Sequence, residues 1–138
     1  MTKNIRVGII GLGGYAGLHH QAILILEERG EARLLCTCDP NHGRFSAEQS
    51  AWKFSQRDVR VFDNYRTMLA AHAHELDVVV VPTPIPLHAE MHRACVDARI
   101  ACFLEKPPTL DPAELEAMIA IDGRAKKQTA VGFNNITE

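Results

Sequence analysis

The chain lacks a long apolar run, an excess of basic charge and a rich set of aromatic side chains. No segment approaches the roughly 20 apolar residues of a membrane helix, which excludes a helical span and predicts no membrane partner. Lysine and arginine are scattered and the formal net charge is −2. The basic stripe of a nucleic-acid binder is therefore missing, and no nucleic-acid partner is expected. Cysteine is limited to Cys36, Cys38, Cys95 and Cys102. No second pair stands at Cys-x-x-Cys spacing, so a zinc site is not expected. The four read as buried, reduced thiols of a cytosolic protein. Met1-Thr2-Lys3-Asn4 runs straight into a strand. That start predicts no signal peptide and a cytoplasmic location. There is no repeat, low-complexity tract or linker. With 138 residues, 46% of them hydrophobic, the sequence predicts one domain with a real core.

What is present is an alternation of short apolar runs and helical patterns. Strands are expected at Ile5–Ile10, Ala32–Cys38, Val59–Phe62, Leu76–Val81, Ile100–Leu104 and Thr129–Phe133. Leu76–Val81 is nearly continuous valine, as in a parallel strand covered on both faces. Helices are expected at Leu18–Glu28, Asn41–Lys53, Asn64–Ala71 and Pro86–Ala98, with Asp63 capping the third. Leu18, Ala22, Ile23, Ile25 and Leu26 would form the apolar side of the first. A further helix starts at Asp111-Pro112, where Glu114 completes a capping box. Leu115, Met118 and Ile119 would be its buried stripe. The alternation predicts an α/β fold of Rossmann type: a doubly wound, mostly parallel six-stranded sheet with helices on both faces.

Three segments carry chemistry. The first is the turn after strand one, Gly11-Leu12-Gly13-Gly14-Tyr15-Ala16, which fits Gly-x-Gly-x-x-Gly/Ala at Gly11, Gly13 and Ala16. Such a turn lets a pyrophosphate approach the amides at a helix N-terminus, and a side chain at Gly13 would block it. Asp39, about 20 residues further on, is placed to hydrogen-bond a ribose diol. Its charge would repel a 2′-phosphate and favours NAD over NADP, although Arg44 stands close by. The second is Pro82-Thr83-Pro84-Ile85-Pro86-Leu87-His88 after strand four, at the edge where such sheets bind ligands. The third is Glu105-Lys106-Pro107 after strand five. A lysine there points into the same crevice, where an ammonium can hold a substrate hydroxyl and help its proton leave. Glu105 is expected to orient that lysine. His88 and His92 are one helical turn apart but lack a third ligand, so no metal is expected. His19 and His20 read as packing or surface groups, and His72 and His74 as surface residues.

These features, in this order and spacing, resemble the N-terminal domain of the glucose–fructose oxidoreductase / inositol dehydrogenase / rhizopine catabolism (Gfo/Idh/MocA) family, over Val7 to Phe133. Glu105-Lys106-Pro107 is similar to the family's Glu-Lys-Pro motif. The resemblance implies a pyridine-nucleotide-dependent oxidoreductase acting on sugars, cyclitols or related polyols. It implies that Gly11, Gly13, Gly14, Tyr15 and Ala16 line the pyrophosphate and that Asp39 meets the adenosine ribose. Pro82, Thr83, Pro84 and His88 would flank the nicotinamide, with Glu105, Lys106 and His88 at the reacting carbon. Gly132, Phe133 and Asn134 resemble the end of the family's sixth strand, after which Asn135 and Ile136 replace a frequent arginine and aromatic. The resemblance also implies a second α+β domain that supplies the substrate pocket. This chain therefore reads as the nucleotide-binding half, not active alone. Its uncovered surfaces, such as the outer edge at strand six, leave room for a homo-oligomer.

Two other classes compete. A non-catalytic NAD(H) sensor or subunit would need the glycine turn but not the lysine and proline loops. A phosphorylated receiver domain would need an acidic pair after strand one, where this chain has Gly11-Leu12-Gly13-Gly14.

Overall fold

The four valines Val78–Val81 form one of the two central strands of a six-stranded parallel sheet. The structure, a computed structural model, describes residues 4–123 and 129–132. The strands are β1 (Ile5–Ile10), β2 (Ala32–Cys38), β3 (Arg60–Phe62), β4 (Val78–Val81), β5 (Ala101–Glu105) and β6 (Thr129–Gly132). The helices are α1 (Tyr15–Glu28), α2 (Ser46–Ala51), α3 (Tyr65–His72), α4 (His88–Asp97) and α5 (Pro112–Asp122). The strand order is β3-β2-β1-β4-β5-β6, parallel throughout. The winding reverses between β1 and β4, which opens a crevice at their C-terminal ends. This is the doubly wound α/β fold that the alternation predicts.

Each face of the sheet has its own core. Val7, Ile9, Leu34 and Val80 pack with Ala16, Ile23, Trp52 and Phe54 on one side. Ile10, Cys36, Cys38, Val79 and Val81 pack with Met68, Leu69, Met91 and Met118 on the other. Leu34 and Cys36 have the same parity yet face opposite cores. The reason is an irregularity in β2: Val7 pairs with Leu34 and Gly8 with Cys36, so Leu35 is left over. One extra residue reverses the facing of everything after it. All four cysteines are free and buried. Burial pushes the Cys36 and Cys38 thiols up to about 12, which keeps them as thiols.

Several local expectations are corrected. Helix α1 starts at Tyr15 rather than Leu18, because the glycine turn feeds directly into it. Only Ala16, His20 and Ile23 of that helix are buried, whereas Leu18 and Ile25 are 60% and 55% exposed. The segment expected as one helix over Asn41–Lys53 is a 3-10 turn, His42–Phe45, followed by the short α2. The cap of α3 is Asn64, whose side chain accepts from the Thr67 amide; Asp63 instead pairs with His42. Asp111 does cap α5, accepting from the Ala113 amide. Glu114, however, takes the Thr109 hydroxyl and not the Asp111 amide, so the capping box does not close. Only Met118 of the expected α5 stripe is buried; Ile119 is 62% exposed. His72 is half-buried, edge-on to the Phe62 ring and paired with Glu75. Phe133, the expected end of strand six, and Asn134 lie outside the described residues.

The end of α1 is tied down by a partly buried ion pair. Arg57 donates to both Glu27 oxygens at 2.8 and 2.9 Å and to the Trp52 carbonyl at 2.7 Å. Glu27 also accepts the Leu34 amide at 2.7 Å, which joins α1 to β2. Burial pushes the Glu27 carboxyl up, but the Arg57 hydrogen bonds, the Leu34 amide and the charges of Arg57 and Arg33 together outweigh it and hold it below the usual range. Arg57→Ala leaves that carboxylate without its guanidinium, at an expected cost of about 3 kcal/mol. Urea unfolding measures it; a loss under about 0.5 kcal/mol, the range of unremarkable surface changes, contradicts this role.

Candidate functional site

The C-terminal strand ends converge on a cleft of about 1020 Å³. It is lined by Gly13, Gly14, Tyr15 and Leu18 at the start of α1, by Pro82, Thr83, Pro84, Ile85 and His88 after β4, and by Glu105 and Lys106 at the end of β5. The three segments singled out in the sequence thus meet at one place. Gly11, Ala16 and Asp39 are not in its lining.

The glycine turn is held rigidly. The Gly11 amide donates to the Cys38 carbonyl at 2.7 Å, joining β1 and β2 at their ends. The Gly11 carbonyl accepts from His20 Nε2 at 3.0 Å and lies 3.3 Å from the Thr37 hydroxyl. Asp39 accepts the Leu12 amide at 3.2 Å through one oxygen and the Asn41 amide at 2.9 Å through the other. Gly11 has φ +112°, a conformation that a residue with Cβ rarely adopts. At Gly13 a Cβ would stand 3.0 Å from two atoms of the Phe45 ring. Helix α1 begins at Tyr15 with Gly14 at its N-cap and no side-chain cap, so its start offers backbone amides of the kind that suit an anion.

His20 is a functional support that its sequence position conceals. It lies one turn after Ala16, on the buried face of α1, and stacks on Trp52 at 4.6 Å. Burial pushes its imidazole down to about 4. The ring is therefore neutral, with the proton on Nε2 facing Gly11, while buried Nδ1 has no partner among the described residues. The folded-state value lies below the unfolded 6.5. The stability this imidazole contributes is thus complete above pH 6.5 and is lost as pH falls toward 4. The total is about 3 kcal/mol. Urea unfolding at the two ends of that window should show a smaller acid loss in His20→Gln than in the unaltered chain; equal losses contradict the assignment.

His88 is fully buried, and both of its nitrogens meet main-chain carbonyls. Nε2 lies 2.8 Å from Thr83 O and Nδ1 3.2 Å from Pro108 O. A neutral imidazole has one N–H and serves one of these at a time. His88 therefore braces the loop after β4 against the loop after β5. His92 is buried too, and pairs with Asp122 at 3.1 Å. Asp122 also takes the Thr129 hydroxyl, which links α4, α5 and β6. Burial pushes the Asp122 carboxyl up, but Thr129 and His92 outweigh that and hold it low.

Glu105 does not have the expected partner. No carboxylate among the described residues lies within ion-pair distance of Lys106. Glu105, 9% exposed, is bonded instead to Nε2 of His19, the neighbour of His20 on α1. Lys106 is half-buried and lines the cleft.

Comparison with known proteins matches this arrangement to a family. Residues 5–133 fit the model of an oxidoreductase family, Gfo/Idh/MocA, with an NAD-binding Rossmann fold. The chain belongs to this family. It is 28% identical over 130 residues to the inositol 2-dehydrogenase of Rhizobium meliloti, a stretch covering 94% of this chain and 36% of that protein. It is 28% identical over 129 residues to the UDP-N-acetylglucosamine 3-dehydrogenase of Acidithiobacillus ferrooxidans, covering 94% and 37%. The chain thus spans a little over a third of these relatives' length. A similar fold is that of the WlbA dehydrogenase from Chromobacterium violaceum in complex with NADH and UDP-GlcNAcA, with TM-score 0.79 and 24% identity over 94% of this chain and 35% of that one. Within the family's fold, the glycine turn and the Glu105-Lys106-Pro107 segment share one cleft.

Proposed function

We propose that this domain holds NAD in the cleft and forms the nucleotide-binding half of an oxidoreductase acting on a sugar, cyclitol or related polyol. The carrying observation is that Lys106 lines the same cleft as the helix-start residues Gly13, Gly14 and Tyr15. The residues fit the cofactor: the first amides of α1 suit a pyrophosphate, and Gly13, with no room for a Cβ beside the Phe45 ring, keeps the turn before them tight and bare. The resident nucleotide, when bound, supplies the acceptor for a hydride from the substrate's carbinol carbon.

The protein's own part is binding, orientation and proton handling. Gly13, Gly14 and Tyr15 offer backbone amides, with Gly11 and Ala16 shaping the turn. Asp39 meets the adenosine ribose with the lone pairs left after its two amide contacts. Pro82, Thr83 and Pro84 form the wall beside the nicotinamide, and His88 fixes that wall through Thr83 O. Lys106, as the neutral amine, accepts the proton of the substrate hydroxyl as the carbinol carbon is oxidised, and as the ammonium returns it in the reverse direction. Glu105 lies beside it as a fixed carboxylate. His88, set between the Thr83 and Pro108 carbonyls, acts as a positioning residue rather than a proton-transfer group.

The relatives' names, inositol 2-dehydrogenase and UDP-N-acetylglucosamine 3-dehydrogenase, support a substrate with several hydroxyls. The reading is tested through Asp39. Its charge should make NADPH bind at least about tenfold more weakly than NADH, since a like charge at the ribose opposes the 2′-phosphate. Asp39→Asn should shrink that ratio to within about threefold (under 1 kcal/mol). Competition titrations measure it, and a ratio unchanged by the substitution contradicts the assignment of Asp39.

A further inference from the structure

His19 is the polar side chain on α1 for which the proposed chemistry has no use, yet it makes a buried contact with the cleft. Its Nε2 is bonded to the Glu105 carboxylate. The two side chains are 21% and 12% exposed. His19 does not line the cleft itself. It approaches from behind, in an apolar groove that includes Ile23, Val78, Val80 and Phe103. Its ring stands edge-on to Phe103, 5.9 Å between centroids, which fixes its direction. Glu105 therefore belongs to two places: it lines the cleft, and its charge is answered from the other side.

A buried carboxylate is costly unless paired and hydrogen-bonded. Lys106, the adjacent cation, is not within ion-pair distance of it, which leaves His19 as its recorded partner among the described residues. Without an N–H at that position the carboxylate must turn toward Lys106 or stand uncompensated in the cleft wall. The first option occupies the cleft's ammonium. The second sets a negative charge against a ligand that carries a pyrophosphate.

We propose that His19 is a positioning residue for the nucleotide cleft: by donating its Nε2–H to Glu105 it keeps that carboxylate compensated and turned away from both Lys106 and the bound dinucleotide. This rests on the reading of the cleft as an NAD site. The groups facing His19 are Glu105 from β5, His20 from its own helix and, in the same groove, Glu31. Of these, Glu105 is the one that shares a recorded hydrogen bond with it, so the effect passes through that carboxylate.

The experiment is a double-mutant cycle read by NADH fluorescence on the full chain, with circular dichroism confirming that each variant is folded. His19→Phe keeps an aromatic ring against Phe103 but has no donor. It should weaken NADH binding about tenfold, the size expected for a lost hydrogen bond to a charged group. In a Glu105→Gln background the same change should cost less than about twofold, because the charge it answered is gone. His19→Gln, which retains an N–H donor, should bind within about threefold of the unaltered chain; it also serves if His19→Phe does not fold. Equal weakening by His19→Phe in both backgrounds means a packing role and overturns the proposal, as does equal weakening by His19→Gln and His19→Phe. Absence of NADH binding by the unaltered chain overturns the NAD reading and this inference together. Normal binding by every variant overturns the inference alone.

Discussion

Gly13→Val should abolish measurable NADH binding, a loss of at least about a hundredfold, while the chain remains folded. Two independent obstacles produce this. Even a single Cβ at Gly13 stands 3.0 Å from the Phe45 ring, tighter than ordinary carbon contact, so the ring must give way. Phe45 is half-buried against the core that contains Trp52 and Phe54, so its movement disturbs packing locally. The larger effect is expected at the pyrophosphate, which must come close to the backbone amides at the start of α1, an approach that the second glycine of the fingerprint serves. Those amides are the feature that makes the helix start attractive to a phosphate. Gly13→Ala should show the same direction with a smaller loss. Thermal unfolding alongside the titration separates the two obstacles: a large drop in Tm with intact binding would place the role of Gly13 in packing alone.

In an enzyme that carries this domain together with a substrate domain, Lys106→Ala should lower NAD-dependent oxidation of a polyol or sugar by about a hundredfold or more, the usual scale of a lost proton-transfer group. NADH affinity should stay within about threefold, since an interaction made with the substrate oxygen contributes little to holding the nucleotide. The geometry accounts for the expected split. Lys106 lines the cleft, is half-buried, and has no carboxylate within ion-pair reach among the described residues, so its ammonium is free to meet a hydroxyl. Lys106→Arg should recover little, because a guanidinium stays protonated and cannot pass a proton on. Initial rates of NADH formation measure the effect. Unchanged turnover with Lys106→Ala would remove Lys106 from the reaction.

Local patterns in the sequence disclose the sheet and most of the cleft. Valine-rich β4, the glycine turn and the strand-end position of Lys106 each declare themselves within ten residues, and crevice geometry brings them together. What stays hidden depends on contacts distant in sequence. Glu105 and Lys106 are neighbours in the chain, and a mutual pairing is the natural expectation, but the carboxylate finds His19, 86 residues away. His20 reads as an ordinary helix residue until its ring is seen beneath Gly11 and stacked on Trp52. The irregularity at Leu35 that lets β2 serve both cores leaves no local mark. The exposed Leu18, Ile25, Leu115 and Ile119 show a different limit. Helical periodicity marks a face as apolar but does not say what covers it.

One titration tests dinucleotide binding in the cleft most directly. NADH fluorescence, followed as the folded 138-residue chain is added, should rise and saturate with a Kd below about 1 mM, and Gly13→Val should remove the signal. Failure to bind at millimolar NADH, with circular dichroism showing an intact α/β fold, would contradict the assignment of this cleft to a dinucleotide.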